Sequence, residues 1–181
     1  MTFSTTELIE DLKKRTERNK TDLQKLMGLS SIDLNKRQEA ESWSALECIA
    51  HLNIYGEFYI PEIKKNIKSS KFRSSDSAFK SGLLGNYFVK MVGPLEESKK
   101  MKTLSSTNPL GSDLDEATLE TFSHQLDRLL GILDDSSKVS LNKTKTGISI
   151  APWVKIKLGD ALRVVILHNQ RHMEQALRAV G

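Results

Sequence analysis

The chain has 181 residues, 38% hydrophobic and 28% charged, enough for one hydrophobic core and composed like a folded globular domain rather than a disordered one. Its formal net charge of +4 does not describe a nucleic-acid surface, because the pairs Lys13-Lys14, Lys64-Lys65 and Lys99-Lys100 are scattered among acids with few aromatics to stack on bases; no nucleic-acid partner is expected. The longest apolar run, Val164-Val165-Ile166-Leu167, is far too short to span a bilayer, so no membrane partner is expected, and a lone cysteine, Cys48, behind a start without a basic-then-apolar leader makes a cytoplasmic location the expectation.

The first helix opens at Ser4-Thr5-Thr6-Glu7, a capping-box pattern in which Phe3 can staple onto Leu8. Its stripe runs Leu8, Leu12, Leu23, Leu26 around a polar middle at Arg15 to Lys20, and Gly28 should end it. A polar loop ending in Glu39-Ala40-Glu41 leads to a second helix at Ser44-Ala45-Leu46-Glu47, with Trp43 just outside it. There Leu46, Ile49, Ala50, Ile54 and Phe58 keep helical spacing, and Pro61 should kink or break the helix because it cannot donate to the carbonyl of Glu57.

Residues 69–111 then form a long crossover. Its apolar patch, Leu83-Leu84-Gly85-Asn86-Tyr87-Phe88-Val89, is expected to be a short additional helix covering one end of the molecule. A third long helix begins near Ser112-Asp113-Leu114-Asp115 and carries the stripe Leu119, Phe122, Leu126, Leu129, Leu130, Leu133. In the next link, residues 136–157, Ile148, Ile150 and Trp153 are expected to pack as a lid, and the fourth long helix spans residues 158–180. No strand-rich region is visible. The expectation is an all-α single domain over residues 1–181, a four-helix bundle whose long crossover lets the second and third helices run parallel.

The chemistry concentrates on histidine. His168 and His172 are one turn apart, on a face that reads Ala161, Val165, His168, His172, Ala176, Ala179, so both imidazoles leave water together. His51 lies about two turns inside the second helix on a comparable stripe with Ile54 and Phe58. Three imidazoles from two helices can hold a divalent ion with one position open, the usual catalytic arrangement for zinc, although imidazole also suits nickel, iron and copper. The bland alternative is a set of buried histidines satisfied by ordinary hydrogen bonds. His124 faces away from the leucine stripe of its helix and is excluded. Glu47, Glu57, Asp160, Glu174 and Gln175 could serve as a fourth ligand or as partners of the ligands, Glu47 being the best placed, with capping of its helix as the competing role. Cys48 reads as a small core residue.

These residues resemble the DinB-like superfamily of small bacterial four-helix metalloproteins. The family shows Trp-Ser, a glutamate and a histidine-leucine pair, matched by Trp43-Ser44, Glu47 and His51-Leu52. It then shows a leucine-glycine step before a helix with two histidines four apart and a glutamine three further on, matched by Leu158-Gly159, His168, His172 and Gln175. The resemblance implies an up-down-down-up bundle with a long crossover after the second long helix. It also implies zinc or nickel on His51, His168 and His172, often within a homodimer, with Glu47 and Gln175 as supporting residues. Members with known activity are thiol-dependent S-transferases and isomerases, and others carry a hydrolase label. The functional expectation is therefore a divalent-metal-dependent enzyme of S-transferase-like or hydrolase type, acting on a small molecule and using a low-molecular-weight thiol. The alternative is a metal-stabilised bundle that binds a ligand or partner without turnover.

Overall fold

The computed structural model describes residues 1–93 and 103–181; the lysine pair Lys99-Lys100 lies outside them. The first long helix, α1 (Thr5–Met27), starts where the Ser4 hydroxyl accepts the N–H of Glu7, as its capping sequence requires. Its inward face continues through the polar middle, because Thr16 and Asn19 are as buried as Leu12 and Leu23, and the Thr16 hydroxyl donates back to the Leu12 carbonyl at 2.9 Å. A short helix, α2 (Ser31–Asn35), plugs in through Leu34. The second long helix, α3 (Ala45–Ser69), begins with a complete capping box between Ser44 and Glu47.

Pro61 does not break α3. The residue that loses its donor, Glu57, is exposed, so solvent can serve that carbonyl. The buried face of α3 is also wider than the expected stripe. Leu46 and Ile49 are fully buried, but Ile54 is 37% exposed, and Leu52, Ile60 and Ile63 face inward instead. The cause is that α3 packs on two partners at once, α5 (Ala117–Ser136) and α6 (Leu158–Val180), as does α1.

Cross-pairs fix the relative directions. Lys13 meets Asp134 at 2.8 Å and Lys20 meets Asp127 at 2.7 Å, so α1 and α5 run opposite ways. Asn53, early in α3, donates to the carbonyl of Thr118, at the start of α5, at 2.9 Å, which puts like ends side by side. His51 lies against His172 and Tyr55 against His168, so α3 and α6 are opposed. Phe3 lies under Arg163, and Arg15 reaches Gln170, so α1 and α6 are aligned.

The fold is mostly helical but not all-α, and the departures are two small antiparallel ribbons. β1 (Thr2–Ser4) pairs with β2 (Ala78–Lys80), placing Phe3 opposite Phe79. Phe3 thus stacks on Phe79, with ring centres 6.3 Å apart. β3 (Lys145–Ile148) pairs with β4 (Ala151–Lys157), with a register shift between Gly147 and Ile148. The expected lid is this hairpin. Of the three residues expected to pack there only Ile148 is buried; Ile150, in the turn between the strands, and Trp153 are 50% and 80% exposed, and Ile156 of β4 turns inward beside Ile148's strand.

The apolar patch of the crossover does form a helix, α4 (Leu83–Val92), but it lies along α6 instead of capping an end. Gly85 permits the close approach: a Cβ there would fall 2.4 Å from that of Asp160. Asp160, fully buried, accepts from Ser81 Oγ and from the backbone N–H of Gly82 and pairs with Arg163, so it pins the start of α4 to the start of α6. The third long helix, α5, starts at Ala117, later than its acidic approach suggests, and buries Leu119, Phe122, Leu126, Leu129 and Leu133 as its stripe requires.

Candidate metal centre

His168 and His172 project from one face of α6, whose other inward residues include Ala161, Val165 and Ala176. Small neighbours on that face let α3 come close enough for His51 to join them. One ligand nitrogen from each of His51, His168 and His172 lies within 4.8 Å of the others. His51 Nε2 and His168 Nε2 are 3.3 Å apart, and the three ring centres stand 4.6–5.1 Å from one another.

The outer nitrogens are held from behind. The Nδ1 of His51 lies 2.7 Å from the carbonyl oxygen of Thr107, which can only accept, so that nitrogen carries the proton and the Nε2 lone pair points inward. The Nδ1 of His172 lies 2.9 Å from Gln175 Oε1, with the same consequence. Burial pushes His51 below the usual imidazole range against the opposing pull of Thr107. Burial pushes His168 well below it, with His172 and His51 adding to the effect. Burial likewise takes His172 down to about 3. All three are therefore neutral at pH 7, with lone pairs free to coordinate. The donor set fits a divalent ion: three inward nitrogens from two helices, with the outer hydrogen bonds of His51 and His172 resolved in the sense that bares the inner nitrogen.

Aromatic rings wall the cluster. Trp43 stands 4.7 Å from His51 and Tyr55 stands 4.6 Å from His168, centre to centre. Beside the histidines opens a cavity of about 400 Å³, walled by Tyr55, Tyr59, Phe88, Met91, Val164 and Val165.

The structure thus brings His51, His168, His172 and Gln175 together, and it places the other carboxylate candidates elsewhere. Glu47 is not a partner of His51. It accepts from the N–H of Ser44 at 2.8 Å and of Gly111 at 2.6 Å and is paired with Arg37, so the helix cap and the crossover consume its oxygens. Burial alone would raise its carboxyl, but Arg37 and those two N–H groups more than offset this and hold it below the usual range. Glu57 is exposed, Asp160 serves α4, and Glu174 accepts from Gln170. His124 is exposed as expected. Cys48 is buried outside the cluster, and burial pushes its thiol up to about 12, which suits a core residue and not a ligand.

Sequence reasoning missed the Thr107 carbonyl and the walls made by Trp43 and Tyr55. A backbone acceptor leaves no residue-type signal. Trp43 is tied in by its indole N–H, which donates to Asn108 Oδ1 at 3.0 Å, so three successive bonds from Thr107, Asn108 and Gly111 fasten the end of the crossover to the start of α3.

The sequence profile of the DinB superfamily matches residues 15–176, a span that holds α3 and α5 whole, the greater part of α1 and α6, and the three histidines. The chain belongs to the DinB superfamily. DinB-like proteins bind metal, in keeping with the donor set found here. No curated protein and no solved structure matches the chain. Among the described residues of this DinB protein, no helix is long and apolar enough to cross a membrane.

Proposed function

We propose that this DinB protein is a single-domain, up-down-down-up helical bundle that holds one divalent ion, zinc or nickel, on His51, His168 and His172 and uses it in thiol-dependent S-transfer or in hydrolysis. The observation that carries the reading is the pair of outer hydrogen bonds, from His51 to the Thr107 carbonyl and from His172 to Gln175, that leave inner nitrogens bare within a 4.8 Å cluster. When bound, such an ion supplies Lewis acidity, strengthening a thiol or a water as a nucleophile near neutral pH.

The chain's own residues do the rest. Thr107 and Gln175 set the direction of two imidazoles. Trp43 and Tyr55 cover the rings of His51 and His168. The cavity beside the cluster leaves room for a substrate. A bundle closed by a fourth protein ligand, the non-catalytic alternative, lacks such support: among the described residues no carboxylate joins the cluster, Glu47 being engaged by Arg37 and Gly111 and Glu57 facing solvent.

The test is metal content of untagged protein, followed by zinc and nickel titration of the stripped protein and of His168→Ala. One ion per chain, lost in the variant, is expected. No stoichiometric uptake, or uptake unchanged by the substitution, would overturn the site. Metal-loaded protein presented with small thiols and electrophiles, and separately with esters and amides, then distinguishes S-transfer from hydrolysis.

A further inference from the structure

The cavity beside the histidines has a chemical character of its own. Tyr55, Tyr59 and Phe88 give it aromatic walls, and Val164 and Val165 of α6 form its aliphatic floor. Its volume of about 400 Å³ falls in the range of small-molecule sites. The apolar lining extends to the surface, where Tyr87, Leu104 and Ile150 are 62%, 53% and 50% exposed.

Charge is scarce there. Among the described lining residues there is no carboxylate and no lysine, and the one guanidinium, Arg171, is turned to the end of α4. Its Nη1 donates to the carbonyls of Met91 at 3.2 Å and Gly93 at 3.3 Å, which occupies it with the negative end of that helix. Besides the histidines, the remaining polar groups of the described lining are hydroxyls and one amide, those of Thr103, Ser149, the three tyrosines and Asn169. The Ser149 N–H is already given to the Tyr59 hydroxyl at 3.3 Å. In the metal-free protein, a charged ligand entering this space would lose its hydration and meet, among the described lining residues, only the guanidinium of Arg171, already engaged by two carbonyls. An uncharged apolar ligand would exchange its hydration for contact with rings and aliphatic carbons.

We infer that the cavity between α3, α4, α6 and the β3–β4 hairpin binds an uncharged, largely apolar small molecule, entering past Tyr87, Leu104 and Ile150 and presenting its polar atom toward the histidines. This rests on the proposed function in assigning the molecule a role as the electrophilic or hydrolysable substrate, but the binding itself does not require the ion. Bound to the proposed thiol-transfer site, it would be the apolar partner, and the thiol would have to approach from another side.

The neutral fluorophore N-phenyl-1-naphthylamine and its charged relative 8-anilinonaphthalene-1-sulfonate serve as probes, with the full chain stripped of metal and again with zinc. Saturable one-to-one binding of the neutral probe is expected in both states, with the sulfonate weaker by about tenfold or more in the metal-free protein. Val164→Phe, which fills the floor, and Ile150→Asp, which sets a charge at the exposed mouth, should each weaken the neutral probe while zinc uptake is retained. Ile150→Asp keeps the test decisive if the buried substitution unfolds the protein. No saturable binding of the neutral probe, equal or tighter binding of the sulfonate to the metal-free protein, or indifference of the neutral probe to Ile150→Asp would overturn the inference. Zinc uptake, read separately, shows whether the metal reading stands or falls independently.

Discussion

At the scale of single residues, the site depends on which nitrogen of each imidazole carries its proton. Gln175 acts through His172 by accepting from Nδ1 at 2.9 Å, which keeps Nε2 bare. Gln175→Leu removes the acceptor, and zinc affinity in a competition titration should fall by about 10–100-fold. Gln175→Glu, which keeps an acceptor at the same reach, should restore most of it. A merely structural glutamine would show equal stability losses and no such rescue. The i, i+4 histidine pair was legible in the sequence because helical register alone puts residues 168 and 172 on one face. Their meeting with His51 was not local information; it came from the inward face of a second helix and from family likeness. Glu47 was legible as a cap and misleading as a ligand partner, since its oxygens go to Gly111 and Arg37, groups 64 and 10 residues away in sequence.

At the scale of elements, the long helices were readable because each carries its own apolar period and cap, whereas the strands were not. β1 and β2 have three residues each and pair across the whole of α1 and α3, so no turn or alternation marks them. β4 contains Pro152 and turns Trp153 outward, both of which argue against a strand when read alone. These ribbons nonetheless explain two glycines. A Cβ at Gly159 would come within 2.6 Å of the Phe79 ring of β2, so the leucine-glycine step before α6 makes room for the first ribbon. Gly85 does the same for Asp160 against α4. Gly85→Ala meets the Asp160 side chain at its root, where no flexible end can yield, and should cost about 1–3 kcal/mol in urea unfolding. Because α4 carries Phe88 and Met91 on the cavity wall, the variant should also bind the neutral fluorophore less well. Wild-type stability in Gly85→Ala would show that α4 is not held against α6 as described.

At the scale of the whole molecule, His51 and the pair on α6 tie the second long helix to the last, so a shared ion adds a crosslink present only in the folded state. With free ion at about a hundred times its dissociation constant, the linkage is worth about 2.7 kcal/mol, or a rise in melting temperature of about 5–11 °C for a chain of this size. Acid should undo the fold in a related way. All three imidazoles sit below their ordinary 6.5 in the folded chain, His172 at about 3. Between the folded and unfolded values the unfolded chain binds more protons, so the stability these groups contribute is present above about pH 6.5 and is lost as pH falls through the folded values. Thermal unfolding of chelator-treated protein should therefore be level from about pH 7 to 8 and decline from about 6.5 to 5, a window in which ordinary carboxylates stay ionised. The ion-dependent increment should decline faster, because protons and the ion compete for the same lone pairs. His168→Gln, which replaces a buried base by a neutral amide, should make the metal-free decline shallower. A metal-free melting temperature that stays level from pH 7 to 5 would mean that the imidazoles are not buried as a neutral set, and the ion site built on their lone pairs would lose its basis.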